Sequence, residues 1–366
     1  MIEPAPPAVD PLRGANLFVD GPAHGVAAAE IARLLGIDRY VPQERRLPAF
    51  RESESWARFS QYVARRLPHV SPSARRTIEL LEKIASEPET ERISKYSEGG
   101  SPAGIFDETQ KLFCHVLRAD PHSIPVFTTY FLHPTLGGCA TAGQIDAYRP
   151  LFEQQIDAIA SATRNRPAVF LLELDAIGSS ACIVREGGIG AWESMLRYEA
   201  TTLGRLPHTL VYIEGGYSDS GSARYAASVL NASGVRDVEG FFTNDTHMVW
   251  TSKEIRYAEA VSRMTHGAHF IINTADNGRG PLLNPHPRTE GVEDLCNPPG
   301  RGLGPRPTTK TRFKNLDALL WTAPPGNSAG ACNGGPAGGT WWPARAEQLA
   351  ADANGRLGPG YPSIPY

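Results

Sequence analysis

Two apolar runs of this chain end in a carboxylate. Residues 169–175 read Val-Phe-Leu-Leu-Glu-Leu-Asp, and residues 210–214 read Leu-Val-Tyr-Ile-Glu. Continuous apolar runs predict strands that are buried on both faces, as in a parallel sheet covered by helices. Because β/α barrels carry their catalytic residues at the carboxyl ends of the strands, the two acids constrain both the fold and the position of a site.

Short apolar runs alternate with amphipathic stretches from about residue 123 onwards. This alternation predicts an α/β fold, either a parallel β/α barrel or a doubly wound sheet. Strands are predicted at 125–130, 168–174, 209–214, 240–243, 269–272 and 318–321. Helices are predicted near 147–163, 191–205, 223–232, 251–265 and 343–353, and a capping box at Thr251-Ser-Lys-Glu254 opens the fourth of them.

The first 120 residues carry mainly helical patterns, at 26–35, 56–67, 73–86 and 105–118, with weaker strand signals at 16–19 and 92–96. We interpret 45–88 as a helical insertion on the barrel and 1–366 as one catalytic domain. Residues 278–312 are rich in Gly, Pro and Asn and have no periodicity. Long ordered loops of this kind usually line binding sites.

The charge and hydropathy patterns exclude several classes of partner. The 36 basic and 39 acidic residues are interspersed, so nothing provides the basic surface that nucleic acid requires. No apolar stretch reaches the roughly 20 residues of a membrane span. Nucleotide-binding glycine motifs, Cys-x-x-Cys pairs and close helical His spacings are also missing, so no cofactor and no metal site are predicted.

The five cysteines suggest where the protein works. Cys139, Cys182, Cys296 and Cys332 lie in Gly- or Pro-rich loops, whereas Cys114 lies in a helical pattern. We interpret them as two disulfides and one buried thiol, which favours a secreted protein. The first residues lack a signal-peptide pattern, so the alternatives are a cytosolic protein or a leader that is absent from this sequence.

The C-terminal third carries motifs that resemble glycoside hydrolase family 6, which contains cellobiohydrolases and endoglucanases. The resemblance is specific from about residue 123 to 353. It implies a distorted barrel of about seven parallel strands, a cleft across their carboxyl ends, inverting hydrolysis of β-1,4-glucan, and disulfides joining Cys139 to Cys182 and Cys296 to Cys332. The motifs are Phe-Phe-Thr-Asn at 241–244, Trp-Thr-Ser-Lys-Glu-Ile at 250–255, the segments 269–281 and 296–309, Cys-Asn-Gly-Gly-Pro at 332–336 and Trp-Trp-Pro at 341–343.

The resemblance places the general acid at Asp175. The family's Glu-Pro-Asp motif stands here as Glu173-Leu174-Asp175, and the family's tyrosine on the preceding strand remains as Tyr130. A general acid must keep its proton near neutral pH, which burial and a neighbouring carboxylate both favour. Because alternate strand residues point to the same side, we expect Glu173 to supply that neighbouring charge.

The sequence departs from the family where a base is expected. An inverting glycosidase needs a second carboxylate about 6.5–9.5 Å from the acid to activate water. The family's Asp at this position is Ala329 here, the Glu of the same loop is Asn327, and a preceding lysine is Ala323. The family's assisting Asp in an Arg-Asp-Cys loop is Gly138.

The sugar-binding positions differ as well. Family residues Asp and His correspond to Glu214 and Tyr217, a second Asn corresponds to His247, and several tryptophans are missing from 218–223 and from Leu295. Tryptophan platforms hold successive glucosyl units at about 1 kcal/mol per stacking contact. Crystalline cellulose is therefore a poor candidate substrate.

We predict an inverting glycosidase that acts on a poly- or oligosaccharide, with Asp175 as general acid and a relocated base. Glu214 is the first candidate base, Asp219, Asp245 and Asp276 are reserves, and a chain of waters is a further route. The alternative is a catalytically weak or inactive carbohydrate-binding descendant of the family. A third hypothesis is a retaining enzyme or glycosyl transferase with Glu214 as nucleophile, for which the carboxyls would be only about 5–5.5 Å apart.

The sequence also predicts which residues form the site. Asp175, Glu214 and Tyr130 are the predicted catalytic residues, and we expect a monomer without a cofactor. Arg306 is expected either near the cleft or paired with a buried acid. The predicted substrate-binding residues are Tyr217, Asn244, His247, Asp276, Asn277, Asn297, Arg301 and Asn327.

Overall fold

A computed structural model describes residues 10–37, 54–178, 180–282 and 295–362. Its seven strands form one parallel sheet in the order of the chain, β1 to β7. Sequential order identifies a barrel and excludes a doubly wound sheet, in which the strand order reverses. The strands are β1 (Glu91–Ser94), β2 (Val126–Tyr130), β3 (Ala168–Leu172), β4 (Thr209–Glu214), β5 (Gly240–Thr243), β6 (His269–Asn273) and β7 (Leu316–Leu320).

The sheet curls into a distorted barrel of the predicted kind. A parallel bridge between Glu89 and Trp321 connects the segment before β1 with the residue after β7. All six predicted strands of the C-terminal part are present. The weak signal at 92–96 is the first strand, whereas 16–19 contributes only a bridge between Leu17 and Ile124.

Alternation of side chains along the strands separates two cores. Phe127 and Phe170 face the helices, and their ring centroids are 5.4 Å apart. Val126, Leu171 and their counterparts on the other strands pack inside the curl, in a cluster to which no helix contributes. Because both faces are buried, the strands read as continuous apolar runs.

The helices cover the outside of the sheet. The predicted helix at 147–163 begins earlier, at Ala142, because Thr141 and Gln144 form a capping box. The capping box predicted at Thr251 is wrong, since the helix is preceded by Trp250 without a side-chain cap. The helices are α1 (Val26–Leu34), α2 (Trp56–Arg66), α3 (Pro72–Ala85), α4 (Pro102–Ala119), α5 (Leu132–Leu136), α6 (Ala142–Thr163), α7 (Ala181–Arg185), α8 (Ile189–Gly204), α9 (Ala223–Ala232), α10 (Thr251–Met264) and α11 (Pro343–Ala351).

A second apolar cluster lies under the N-terminal helices. It joins α1, α2, α3 and α11 to Trp321, next to the bridge at the edge of the barrel. Of the predicted insertion at 45–88, residues 45–53 lie outside the described residues, and the remainder forms α2 and α3. The single-domain interpretation stays a prediction.

Covalent and ionic links hold the loops at the carboxyl ends. Both expected disulfides are formed, Cys139–Cys182 and Cys296–Cys332, with Cα atoms 4.7 and 6.0 Å apart. The thiol of Cys114 is free, but this residue is only partly buried rather than fully so. Arg306 pairs with the buried carboxylate of Glu87, which is one of the two arrangements expected for this residue.

Along the described part of the chain, no helix combines the length and apolar character of a membrane span.

Candidate active site

Asp175 is held by two hydroxyl groups just beyond β3. Tyr217 donates a hydrogen bond to its Oδ1, and Thr246 donates a second one over 2.8 Å. The same Thr246 hydroxyl lies 3.0 Å from the Tyr217 oxygen, so the three groups form a closed triangle. Asp175 is only partly buried, so its carboxyl group is fixed but still reachable from solvent.

The turn that carries Asp175 is left-handed at two positions. The φ angles are 56° at Glu173 and 64° at Asp175, values that cost non-glycine residues energy and that cluster at functional sites. The strand therefore ends at Leu172, two residues before its predicted end. The two-residue alternation of a strand does not extend across this turn.

Glu173 consequently points away from Asp175. Its carboxylate accepts the backbone N–H of Phe131, at 2.9 and 3.0 Å, and that of Leu132, at 2.8 Å, where α5 begins. Desolvation raises its pKa to about 8 against these hydrogen bonds. The expectation that Glu173 supplies the charge beside Asp175 is wrong, because the left-handed turn redirects its side chain.

Asp245 is the carboxyl group that lies under Asp175. Its Oδ2 accepts the backbone N–H of Asp175 over 3.0 Å, and none of the described residues forms a hydrogen bond with its buried Oδ1. Only 5% of this residue is exposed. Desolvation first, and then the charge of Asp175, raise the pKa of Asp245 to about 8.

Glu214 belongs to the same cluster but is completely enclosed. Its exposed fraction is 0%, and its carboxylate accepts the N–H groups of Ile177, Gly178 and Gly216, the second over 3.1 Å. Desolvation and the nearby charges of Asp245 and Asp175 raise its pKa. Glu214 thus ties the turn after β3 to the end of β4 and offers no face to a substrate.

One wall beside Asp175 is aromatic. The ring of His247 stacks on Tyr217 with centroids 3.8 Å apart and planes 11° apart. Nδ1 of His247 lies 2.8 Å from Oδ1 of Asp219. Burial acts to raise the pKa of Asp219, but the hydrogen bond and charge of His247 outweigh it and lower the pKa.

The opposite wall is formed by Tyr130 on β2. Its hydroxyl lies 3.3 Å from Nδ1 of His133, and the guanidinium of Arg92 lies 5.4 Å from its ring centroid. Burial, followed by the charge of Asp175, raises the pKa of Tyr130. Tyr130 and Tyr217 therefore approach the acid from two sides.

Two predicted asparagines shape loops instead of facing the cleft. Asn244 donates to the carbonyl of Asn273 over 3.0 Å and accepts the N–H of Val249 over 3.1 Å. Asn277 donates to the carbonyl of Val249 over 2.9 Å and to the hydroxyl of Thr251. Both side chains are buried and their amide groups donate to neighbouring backbone, but Oδ1 of Asn277 has no hydrogen-bond partner among the described residues.

Asn297 fastens the loop that contains Ala329. Its side chain donates to the carbonyl of Gly330 over 2.8 Å and accepts the N–H of Ala329 over 2.9 Å, beside the Cys296–Cys332 disulfide. Ala329 itself is exposed. The position where the family carries its base is therefore ordered and open, but it has no carboxylate.

The last predicted residues lie further along the C-terminal loops. Asn327 forms a backbone bridge with Trp341, and Arg301 donates to the carbonyl of Gly280. Desolvation raises the pKa of Asp276 although the positive charges of Arg345 and Arg301 act against it. These residues build the loops that border the site without joining the cluster at Asp175.

Two site residues, Thr246 and Arg92, were not predicted from the sequence, and Asp245 was predicted only as a reserve base. Thr246 and Asp245 lie in a loop whose polar residues carry no periodic signal, and Arg92 lies on a short strand with a weak pattern. The motif match drew attention to the neighbours Asn244 and His247 only. In the ranges that the structure describes, no three His, Cys, Asp or Glu side chains are grouped as a metal site requires.

A parallel barrel with a clamped, solvent-reachable aspartate at a strand's carboxyl end has the architecture of a β/α-barrel glycosidase. A family model described as "Glycosyl hydrolases family 6" matches residues 79–353. The chain belongs to glycoside hydrolase family 6.

Curated relatives and solved structures agree with this assignment. Endoglucanase A of Cellulomonas fimi is 30% identical over 275 residues, which cover 75% of this chain and 56% of that protein. Endoglucanase A of Thermobispora bispora is 29% identical over 77% of this chain and 59% of its own length. The chain thus spans little more than half of these relatives.

The structure is similar to that of the endoglucanase Cel6 from Mycobacterium tuberculosis, solved in complex with methyl-cellobiosyl-4-deoxy-4-thio-β-D-cellobioside. The TM-score is 0.71 at 27% identity, and the match covers 94% of this chain and 99% of that one. The distorted barrel predicted from the sequence is therefore confirmed.

Proposed function

We propose that this protein hydrolyses glycosidic bonds of a poly- or oligosaccharide with inversion and that Asp175 is the general acid. The observation that carries the proposal is the pair of hydroxyl donors, Tyr217 and Thr246, on one oxygen of Asp175. Two donors on one oxygen fix the orientation of the carboxyl group. A fixed donor that solvent can reach suits protonation of a leaving-group oxygen.

Asp245 replaces the assisting aspartate that other family members carry in a different loop. The loop position that carries this Asp in the family is Gly138 here. Asp245 instead places a buried carboxyl group directly under the Asp175 backbone. A proton moving to the leaving group increases the negative charge at Asp175, which a protonated neighbour with a raised pKa does not oppose.

Glu214 acts as a positioning residue in this proposal. A base or a nucleophile must reach water or the anomeric carbon, and a carboxylate that is 0% exposed and held by backbone N–H groups does neither. The enclosed position also disfavours a retaining mechanism through Glu214. Its role is to keep residues 177–178 in place, immediately after the acid.

Water activation is proposed to pass through a chain of solvent molecules. Ala329 cannot accept a proton, and the loop around it is exposed. A base can act through one intervening water, but a relay without a dedicated carboxylate forfeits part of the usual 10²- to 10⁴-fold gain. Slow turnover is therefore expected, and the same observation favours the second candidate function, a carbohydrate-binding descendant with little or no catalysis.

The site supports an oligosaccharide as the ligand. The bound compound in the Mycobacterium tuberculosis relative is a thio-linked oligosaccharide of cellobiosyl units, so β-linked glucan chains are the starting point for assays. Tyr130 and His247 are only partly buried and lie near the acid, so their rings can supply faces for sugar rings, whereas Tyr217 is buried beneath His247. The two disulfides support secretion, and a monomer is proposed.

Release of reducing ends from a panel of β-glucans and cell-wall glycans tests the proposal, with Asp175→Asn as the matched variant. Inversion predicts that the first product detected by NMR has the anomeric configuration opposite to that of the substrate. Binding of oligosaccharides without release by the unaltered protein would instead support the non-catalytic descendant. Release that is unchanged in Asp175→Asn would overturn the role of Asp175.

A further inference from the structure

Arg92 projects a positive charge into the cleft from the first strand. Ile93 packs towards the helices, so its neighbour Arg92 faces the inside of the barrel, in register with Thr128. Tyr130 lies on the same face two residues further along β2, and the Arg92 guanidinium lies 5.4 Å from its ring centroid. The charges of Asp175 and Asp245 both act on this guanidinium.

Arg92 is both solvent-exposed and desolvated. The residue belongs to the exposed class, yet the surrounding protein lowers its pKa through desolvation. A side chain on a convex surface would not be desolvated, and one in a core would not be exposed. The combination places the guanidinium on the wall of a cleft, beside the general acid.

No described carboxylate lies within ion-pair distance of this guanidinium, although the charges of Asp175 and Asp245 act on it from further away. No carboxylate oxygen of the described residues forms an ion pair with Arg92, whereas Arg33, Arg149, Arg279 and Arg306 each have one. Burial raises the pKa of Asp245 to about 8, which reduces its negative charge near neutral pH. A partly desolvated cation without a close ion-pair partner favours a ligand of opposite charge.

The same rim carries one further cation, Lys95, and the imidazole of His133. Lys95 follows β1 and donates to the carbonyl of Pro134, and His133 contacts the hydroxyl of Tyr130. The Tyr130 ring contacts the guanidinium through a cation–π interaction, which does not use its planar fork of N–H donors. Such a fork binds a planar carboxylate through two parallel hydrogen bonds.

We propose that Arg92 forms a subsite for an anionic group of the saccharide, and that the preferred substrate is a β-linked glycan with carboxylate-bearing (uronic acid) units. This inference rests on the proposed glycosidase function and names its substrate class. An anionic subsite also accounts for the missing tryptophan platforms, because directional hydrogen bonds from Arg92 would hold a charged sugar that stacking alone would otherwise have to bind. A neutral glucan is the poorer ligand.

The experiment compares three matched ligands by titration calorimetry. They are a cello-oligosaccharide, the same oligomer oxidised at C6 to the carboxylate, and the same oligomer carrying sulfate at C6. We expect the carboxylated oligomer to bind at least tenfold more tightly than the neutral one, with the preference decreasing as salt is raised. Equal affinity for the carboxylated and neutral oligomers overturns the subsite, and tighter binding of the sulfated oligomer overturns the assignment to carboxylate.

Three variants locate the effect. Arg92→Met should abolish the preference and change affinity for the neutral oligomer less than threefold, and Arg92→Lys should keep part of it. Arg312→Met is the control, since Arg312 is exposed and lies over the ring of Phe313 at 5.7 Å, before β7 and hence at the opposite end of the barrel. A preference that survives in Arg92→Met, with melting temperatures unchanged, refutes the role of Arg92.

Binding and hydrolysis are measured on the same three oligomers, which separates the two proposals. Selective binding without release of reducing ends supports the subsite and contradicts the glycosidase function. Hydrolysis that is faster on the neutral than on the carboxylated oligomer supports the glycosidase function and contradicts the subsite.

Discussion

The backbone N–H of Asp175 donates a hydrogen bond to the carboxylate of Asp245 over 3.0 Å. The carboxylate of Asp245 thus supports the backbone of Asp175, and Asp245 is almost completely buried. The contact joins the turn after β3 to the loop after β5 through a titratable group. This contact positions the acid, and the burial of Asp245 contributes to the pH dependence of the fold.

Stability should decrease from mildly acidic to mildly alkaline pH. The pKa of Asp245 is raised from 3.8 to about 8, so the folded state binds a proton that the unfolded state releases between these values. The stabilising contribution is complete below the unfolded pKa and is lost as pH rises through about 8. Thermal melts from pH 4 to 9 should show this decline, and Asp245→Asn should make it shallower. Glu173, whose pKa is also raised to about 8, leaves a residual slope; an unchanged slope in Asp245→Asn would contradict the interpretation.

Removing the Tyr217 hydroxyl should slow the reaction. Tyr217→Phe keeps the stacked contact with His247 but deletes one of the two donors to Asp175. Hydrogen bonds to charged groups contribute about 1.5–3 kcal/mol, so we expect kcat to fall about tenfold or more with little change in KM. Tyr198→Phe is the control, because Tyr198 donates to Asp157 over 2.8 Å on the surface. Equal kcat values for the two variants would exclude a role of the Tyr217 hydroxyl.

Introducing a carboxylate at position 329 should increase turnover. Ala329 is exposed in a loop fastened by Asn297, so Ala329→Asp can be accommodated without burying charge. A general base contributes about 10²- to 10⁴-fold, and an engineered one should recover at least about tenfold in kcat. Ala329→Asn, which has the same size but accepts no proton, should stay at the level of the unaltered protein. If both variants behave alike, water activation is not the step that limits turnover.

Replacing Glu214 should impair folding before it impairs chemistry. In Glu214→Gln an amide NH₂ must face backbone N–H donors now satisfied by a carboxylate oxygen. A buried donor left without an acceptor costs about 1–3 kcal/mol, which denaturant titration should detect as a lower free energy of unfolding. External azide, which replaces a missing base or nucleophile, should not restore activity. Restoration by azide would return Glu214 to a direct catalytic role.

The sequence was informative where a single segment carries the signal. Apolar periodicity predicted six of the seven parallel strands, and each of these patterns depends on a few neighbouring residues that tertiary contacts do not alter. The resemblance of short contiguous motifs to the family implied the barrel and both disulfide pairs, which the structure shows. The role of Asp175, implied by the same resemblance, stays a prediction.

The remaining features depend on groups that meet only in three dimensions. Glu214 is enclosed by N–H groups from two separate turns, and no spacing in the sequence shows that they converge. The direction of Glu173 depends on two left-handed φ angles that a strand pattern does not predict. Asp245 resembles any loop acid until the Asp175 amide is placed on it.

The left-handed turn after β3 also limits how this site can evolve. Positions 173 and 175 adopt φ angles that glycine, asparagine and aspartate accept at low cost and that valine, isoleucine and threonine resist. In a saturation library, many replacements at these two codons would disappear through misfolding irrespective of their chemistry. The spectrum of tolerated amino acids there would report backbone shape first and proton transfer second.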